Sequence, residues 1–175
     1  VALLLGTRVK HGSTKSQGIR LETTQEDILA RTVINAGGLY ADEVSQSLGG
    51  ETFTVHPVRG DYAELTPSAR HLVNALVYPL PEQTGQGLGV HLTRTTWDSV
   101  MLGPTARHQT SKSDYESNRE PLKTFYEATQ QMLPALKPDQ LRAGGSGIRA
   151  RGAPANRVFS DFRIRRDHSI KRLIH

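Results

Sequence analysis

The sequence predicts an α+β fold, a mixed and mainly antiparallel sheet with few helices, entered through one strand–turn–helix junction. Three observations carry this. Short apolar runs, many of them alternating with polar residues and set off by Gly, Pro and Ser, recur along most of the chain. Only residues 39–48 and 121–133 repeat apolar side chains at helical spacing. Residues 31–42, RTVINAGGLYAD, pass from a β-branched run (Val33, Ile34) into twin glycines and then into a helical pattern.

Taken in order, residues 1–35 read as three strands. The first covers 1–9, a polar loop covers 10–18, residues 19–23 alternate, a turn falls at 25–27, and residues 28–35 return to the glycines. Over 39–48, Tyr40, Ala41, Val44 and Leu48 share a helical face, with Asp42 and Glu43 in the first turn and Gly49-Gly50 as the stop. Residues 53–65 are strand-like, but Pro57 and Gly60 point to an edge or bent strand. Residues 72–80 are apolar, and 87–94 with 99–102 form a hairpin around 95–98, so the middle reads as antiparallel sheet. Leu122, Phe125, Tyr126, Thr129, Met132 and Leu133 define a helix that packs on that sheet. Strands are expected at 141–150 and 158–165, and the start of another at 169–175.

The totals set bounds. A length of 175 residues suits one or two small domains with a sizeable core. Apolar content of 36% and a mean hydropathy of −0.47 come with no apolar run long enough to span a bilayer. The absence of cysteine excludes disulfides, thiolate metal sites and thiol catalysis, and fits a reducing, cytoplasmic setting. The formal charge of +5 raises nucleic acid as a partner. Yet basic residues near the C-terminus alternate with apolar ones, as in Phe162-Arg163-Ile164-Arg165, which describes the wet face of a strand. No nucleic-acid partner is expected, and a small anionic molecule suits a few placed arginines better.

Several motifs offer chemistry. The glycines after Ile34 let backbone amides approach a ligand at a helix start. Residues 145–150 nominally match a GxGxxA dinucleotide pattern, but Arg151-Gly-Ala-Pro154 cannot extend the required helix. The seven histidines show no HxxxH or HExxH spacing, so no metal is expected. His91 sits mid-strand and, by alternation, faces opposite to Val90 and Leu92, as a structural residue or as one lining a cavity.

The segment VINAGGLYAD resembles the second flavin-contacting motif of the FAD enzyme superfamily that includes glycine oxidase, D-amino-acid oxidase and glycerol-3-phosphate dehydrogenase. Residues 76–81 (LVYPLP), 88–93 (LGVHLT) and 102–104 (LGP) resemble its L-2-hydroxyglutarate dehydrogenase branch. The similarity runs from about residue 5 to the C-terminus, while the family's N-terminal GxGxxG is absent. The resemblance implies residues 1–50 as a partial Rossmann-like FAD-binding portion, 51–145 as a substrate-binding sheet domain, and 146–175 as a return towards the FAD-binding portion. It also implies a missing N-terminal FAD-binding segment before residue 1, and a last flavin-contacting strand and helix after residue 175. A piece of this kind is not expected to hold flavin alone.

On the same resemblance, Asn35, Ala36, Gly37, Gly38, Gly147 and Ile148 contact FAD. Arg149, in a Gly-hydrophobic-Arg motif, meets the substrate's anionic group, where a planar fork that keeps its charge is suited to a carboxylate. Residues 56–62, HPVRGDY, offer Arg59 and Tyr62 to the pocket, Tyr78 adds a donor, and His91 takes a hydroxyl proton. The implied reaction is oxidation of L-2-hydroxyglutarate to 2-oxoglutarate by hydride transfer to flavin. Glycerol 3-phosphate or an amine as substrate, and a catalytically silent binding module, stay open, as does peripheral membrane or quinone contact in the full-length enzyme.

Overall fold

The computed structural model describes residues 1–80, 88–154 and 161–175. The chain divides into two compact units, Val1–Val55 with Asp161–His175, and His56–Ser160. Residues 51–55 thus stay with the first unit and 146–160 with the second, where the sequence placed each in the following segment.

In the first unit, strands β1 (Val9–Lys15), β2 (Gly18–Thr23) and β3 (Ile28–Ala30) form an antiparallel sheet in that order. Here two expectations are corrected. Residues 1–8 form no strand, and most of the expected loop, residues 10–15, is strand. Pairing decides this rather than apolarity: a tight turn joins the paired Lys15 and Gly18, whereas Val1, Leu3, Leu4 and Leu5 are exposed. The expected strand over 28–35 is also divided. Strand β4 (Val33–Ile34) leaves the meander and pairs in parallel with the distant β10 (Leu173–Ile174). A 3₁₀ turn at Gly38–Tyr40 then leads into helix α1 (Ala41–Ser47). Leu48 packs with Ile19 and Leu173 as the core of this unit.

The strand expected at 158–165 is not found over its described part. Phe162 and Ile164 alternate with arginines but stand exposed, because no strand among the described residues pairs with them. Arg165 exchanges backbone bonds with His175, Asp167 donates to the Leu173 carbonyl, and Arg166 bridges Ile174 between them; of the strand expected to begin over 169–175, Leu173–Ile174 is strand.

The second unit is built on β5 (His56–Leu65). One edge of β5 pairs along its length with β9 (Leu141–Arg151); the other pairs with β7 (Val100–Gly103) near one end and β8 (Arg107–His108) near the other. Strand β6 (His91–Arg94) closes the hairpin on β7, as the sequence predicts. β5 is therefore central, not an edge. Pro57 is tolerated because it is the second residue of the strand, and Gly60 lies where Pro104 and the Thr105 carbonyl pack on the chain. Residues 72–80 contribute a single bridge, Val77 to Leu92, rather than a strand.

Helix α2 (Leu122–Thr129) is shorter than expected, but it packs on the sheet as anticipated. Fully buried Phe125 sits in one cluster with Ala63, Leu65, Leu92, Leu102 and Leu141, while Met132 and Leu133 cover its margin. Among the described residues no helix is long and apolar enough to cross a membrane.

Candidate active site

Strand alternation gives the sheet of the second unit two chemically different faces. Arg59, Asp61, Ala63 and Leu65 of β5 share the inner face, together with Leu102 and Leu92, which pair in register with Ala63 and with each other. Gly60 and Tyr62 lie on the outer face. Gly147 and Arg149 join them there through the Gly60–Gly147 and Val58–Arg149 pairs, and His91 joins through its pairing with Gly103. The alternation read from the sequence holds: Leu92 is fully buried and His91 is not.

A shallow depression of about 180 Å³ on this outer face is lined by Gly60, Tyr62, Pro104, Gly147, Ile148 and Arg149. The Tyr62 ring lies directly against Gly103, where a Cβ would come within 2.8 Å of its Cδ1, so only glycine fits. Beyond Gly103, the His91 ring stacks on Tyr78 with centroids 4.7 Å apart and planes 25° apart. His91 Nδ1 lies 3.0 Å from the Gly89 carbonyl. A carbonyl only accepts, so Nδ1 carries the hydrogen and the neutral ring keeps its lone pair on Nε2. The structure thus brings Tyr62 and Arg149 together in one depression and Tyr78 and His91 together in one stack, both served by the same face.

Arg59 is used differently from the expectation. Its side chain is fully buried on the inner face, with Nε 3.0 Å from Asp61 Oδ1 and a terminal nitrogen 3.7 Å from Asp114 Oδ1. Asp61 also accepts the Glu120 N–H at 3.1 Å. A guanidinium held this way binds the sheet to the loop before α2 and cannot reach an outer-face ligand. Asp61 itself was not singled out in the sequence, although a carboxylate two residues from an arginine on a strand shares its face.

In the first unit, the glycine bend lies at the carboxyl end of a parallel strand pair. Asn35 shapes it: Oδ1 accepts the Gly37 N–H at 3.2 Å, and Nδ2 donates to the Ala41 carbonyl at 2.7 Å and to His175 Nδ1 at 3.1 Å. The Gly37 amide is therefore not bare. Ala36, Gly37 and Gly38 are exposed; Gly38 has φ +57°, and open space surrounds the position of its missing Cβ.

His175 connects this bend to a buried carboxylate that no motif predicted. Its Nε2 lies 3.0 Å from Asp167 Oδ2, and its ring meets Phe53 edge-on. Burial alone would raise the Asp167 carboxyl. The Glu51 N–H, the His175 ring and the Ile170 and Ser169 N–H groups outweigh it and hold the group well below the usual carboxylate range. Glu51, Asp167 and His175 bring ligand-type atoms within 4.8 Å of one another. Protein partners already engage them, with Arg165 and His168 on Glu51.

A family model described as FAD dependent oxidoreductase matches residues 1–175, the whole chain. The chain belongs to the DAO family of FAD-dependent oxidoreductases. Within that family it is similar to an L-2-hydroxyglutarate dehydrogenase of Indibacter alkaliphilus, at 26% identity over 95% of the chain and 51% of the relative. It is similar to the L-2-hydroxyglutarate dehydrogenase of Escherichia coli K12 at 42% identity over 51% of the chain and 22% of the relative. The chain spans about half the length of the Indibacter relative.

Among solved structures, an L-α-glycerophosphate oxidase from Mycoplasma pneumoniae shares the fold, with TM-score 0.73 and 22% identity, over 96% of the chain and 44% of its own. An L-proline dehydrogenase from P. horikoshii does so with TM-score 0.71 and 18% identity, over 96% and 42%. The family's cofactor is FAD, and the bend suits it. An exposed, side-chain-free turn after a parallel strand can admit a nucleotide cofactor, and Gly38 leaves the space for it.

Proposed function

We propose that this chain is the substrate-side part of an FAD-dependent oxidoreductase that oxidises a 2-hydroxy acid, with L-2-hydroxyglutarate, giving 2-oxoglutarate, as the favoured substrate. The observation that supports it is the outer face, which carries Arg149 with Tyr62 in one depression and His91 stacked on Tyr78. The relatives named L-2-hydroxyglutarate dehydrogenase support the choice of substrate.

In this reading Arg149 pairs with a substrate carboxylate through its planar fork and fixes the α-carbon in place. His91 accepts the hydroxyl proton at Nε2, the nitrogen left free by the Gly89 carbonyl. Tyr78 holds the imidazole plane by stacking, and Tyr62 walls the depression and offers a hydroxyl to the substrate. Asn35, Ala36, Gly37 and Gly38 contact the cofactor, as do Gly147 and Ile148. When bound, FAD supplies the two-electron acceptor for the hydride that leaves the α-carbon.

Glycerol 3-phosphate is the second reading, favoured by a relative named glycerol 3-phosphate dehydrogenase from Caloramator mitchellensis at 26% identity over 86% of the chain and 31% of the relative. Turnover by the full-length protein on a panel of 2-hydroxy acids, amino acids and glycerol 3-phosphate separates the two. The expected result is oxidation of 2-hydroxyglutarate well above the rest. Preferential turnover of glycerol 3-phosphate or of an amino acid overturns the proposal.

A further inference from the structure

Most arginines of the second unit are already occupied. Arg59, Arg94 and Arg142 pair with carboxylates, and Arg107 and Arg119 donate to the Ser117 and Gly144 carbonyls. Arg149 is exposed and meets no hydrogen-bonding or ionic partner among the described residues, and the same is true of His108. These two side chains are related by register. Val58 pairs with Arg149 on one edge of β5 and with His108 on the other, so the three form a row across β9, β5 and β8.

Residues paired in register point to one face, and neighbouring strands stand about 4.8 Å apart, so the two cationic-type residues flank an apolar Val58 with backbones about 10 Å apart. Arg107, the neighbour of His108, reaches the loop that packs on the inner face, as this placement requires. The carboxylates of β5 do not compete for the two: Asp61 is inner and held by Arg59, and Glu64 is held by Arg142.

We propose that Arg149 and His108 form a two-point site for a short dicarboxylate, and that His108 sets the preference for a substrate with two carboxylates over one with a single carboxylate. Arg149 takes one carboxylate bidentately, and the His108 ring donates to the other across Val58. A diacid satisfies both groups; a monoacid leaves His108 with water. This rests on the 2-hydroxy-acid reading and names the residue that gives it substrate preference.

The test compares the full-length flavoprotein with its His108→Ala and His108→Lys variants on 2-hydroxyglutarate and on 2-hydroxybutyrate, which has one carboxylate. His108→Ala is expected to lower kcat/KM for the diacid by about tenfold or more, mainly through KM, and to leave the monoacid within about twofold. His108→Lys, which returns a hydrogen-bond donor, is expected to recover most of the loss. Equal losses on both acids, or no loss on the diacid, overturn the site while the parent reading stands. Failure of the unaltered protein to oxidise either acid overturns that reading, and this site with it.

Discussion

His175 Nε2 lies 3.0 Å from Asp167 Oδ2, and this contact settles how the bend after β4 is held. Asn35 Nδ2 can only donate, so His175 Nδ1 accepts from it and Nε2 bears the hydrogen directed at Asp167. Asn35 is thereby fixed with its oxygen on the Gly37 N–H and its remaining amide hydrogen on the Ala41 carbonyl.

Replacing Asn35 with alanine removes all three bonds and strands His175 Nδ1 without a donor. Stability is expected to fall by about 1–3 kcal/mol in urea unfolding. Flavin content of the purified full-length protein should fall with it, because the bend loses its internal support.

Asp167 gives a pH signature. Its carboxyl titrates lower in the folded protein than the ordinary value of about 3.9, so its stabilisation is complete above that pH and is lost as acid protonates the folded group. Asp167→Asn should therefore be less stable than the parent at neutral pH, and the gap should narrow progressively below about pH 4 in acid unfolding curves. A gap that stays constant down to strong acid would contradict the assignment.

Arg149 and Arg142 lie on the same strand but in different surroundings, since Arg142 is paired with Glu64 and Arg149 has no such partner among the described residues. Arg149→Ala is expected to reduce kcat/KM of the full-length enzyme by about 100-fold or more, whereas Arg142→Ala should stay within about threefold. Steady-state kinetics on 2-hydroxyglutarate decide it.

Arg59 behaves as a structural cation. Arg59→Ala leaves Asp61 buried and unbalanced, and should cost about 3–5 kcal/mol of stability. The activity of the remaining folded protein should change little. A raised KM with unchanged melting would instead restore Arg59 as a substrate contact.

The parts of the fold that are legible in the sequence are local ones. The β6–β7 hairpin and α2 follow from alternation and from 3.6-residue spacing within about a dozen residues. Strand β1 is missed because its residues are polar and its identity comes from pairing with β2, not from burial. The central place of β5 is hidden because Pro57 and Gly60 carry edge signals, while the partner that decides the matter, β9, begins far along the chain. Candidate site residues divide in the same way. Tyr62, Tyr78, His91 and Arg149 are visible as motif members on strands or beside them. Arg59 is misassigned, since its Asp114 partner lies 55 residues away, and the pairing of His175 with Asp167 and Asn35 bridges segments 140 residues apart.

The ladder between β5 and β9 joins His56 to Arg151 and Leu65 to Leu141, with nearly the whole second unit strung between them. Such a ladder demands a large loop-closure entropy before any of its bonds can form, so this unit should fold slowly, with the β6–β7 hairpin and α2 organising first. Until β9 arrives, the whole edge of β5 that it covers lies open to pairing with other chains, which makes nascent or heated protein prone to aggregate through that strand.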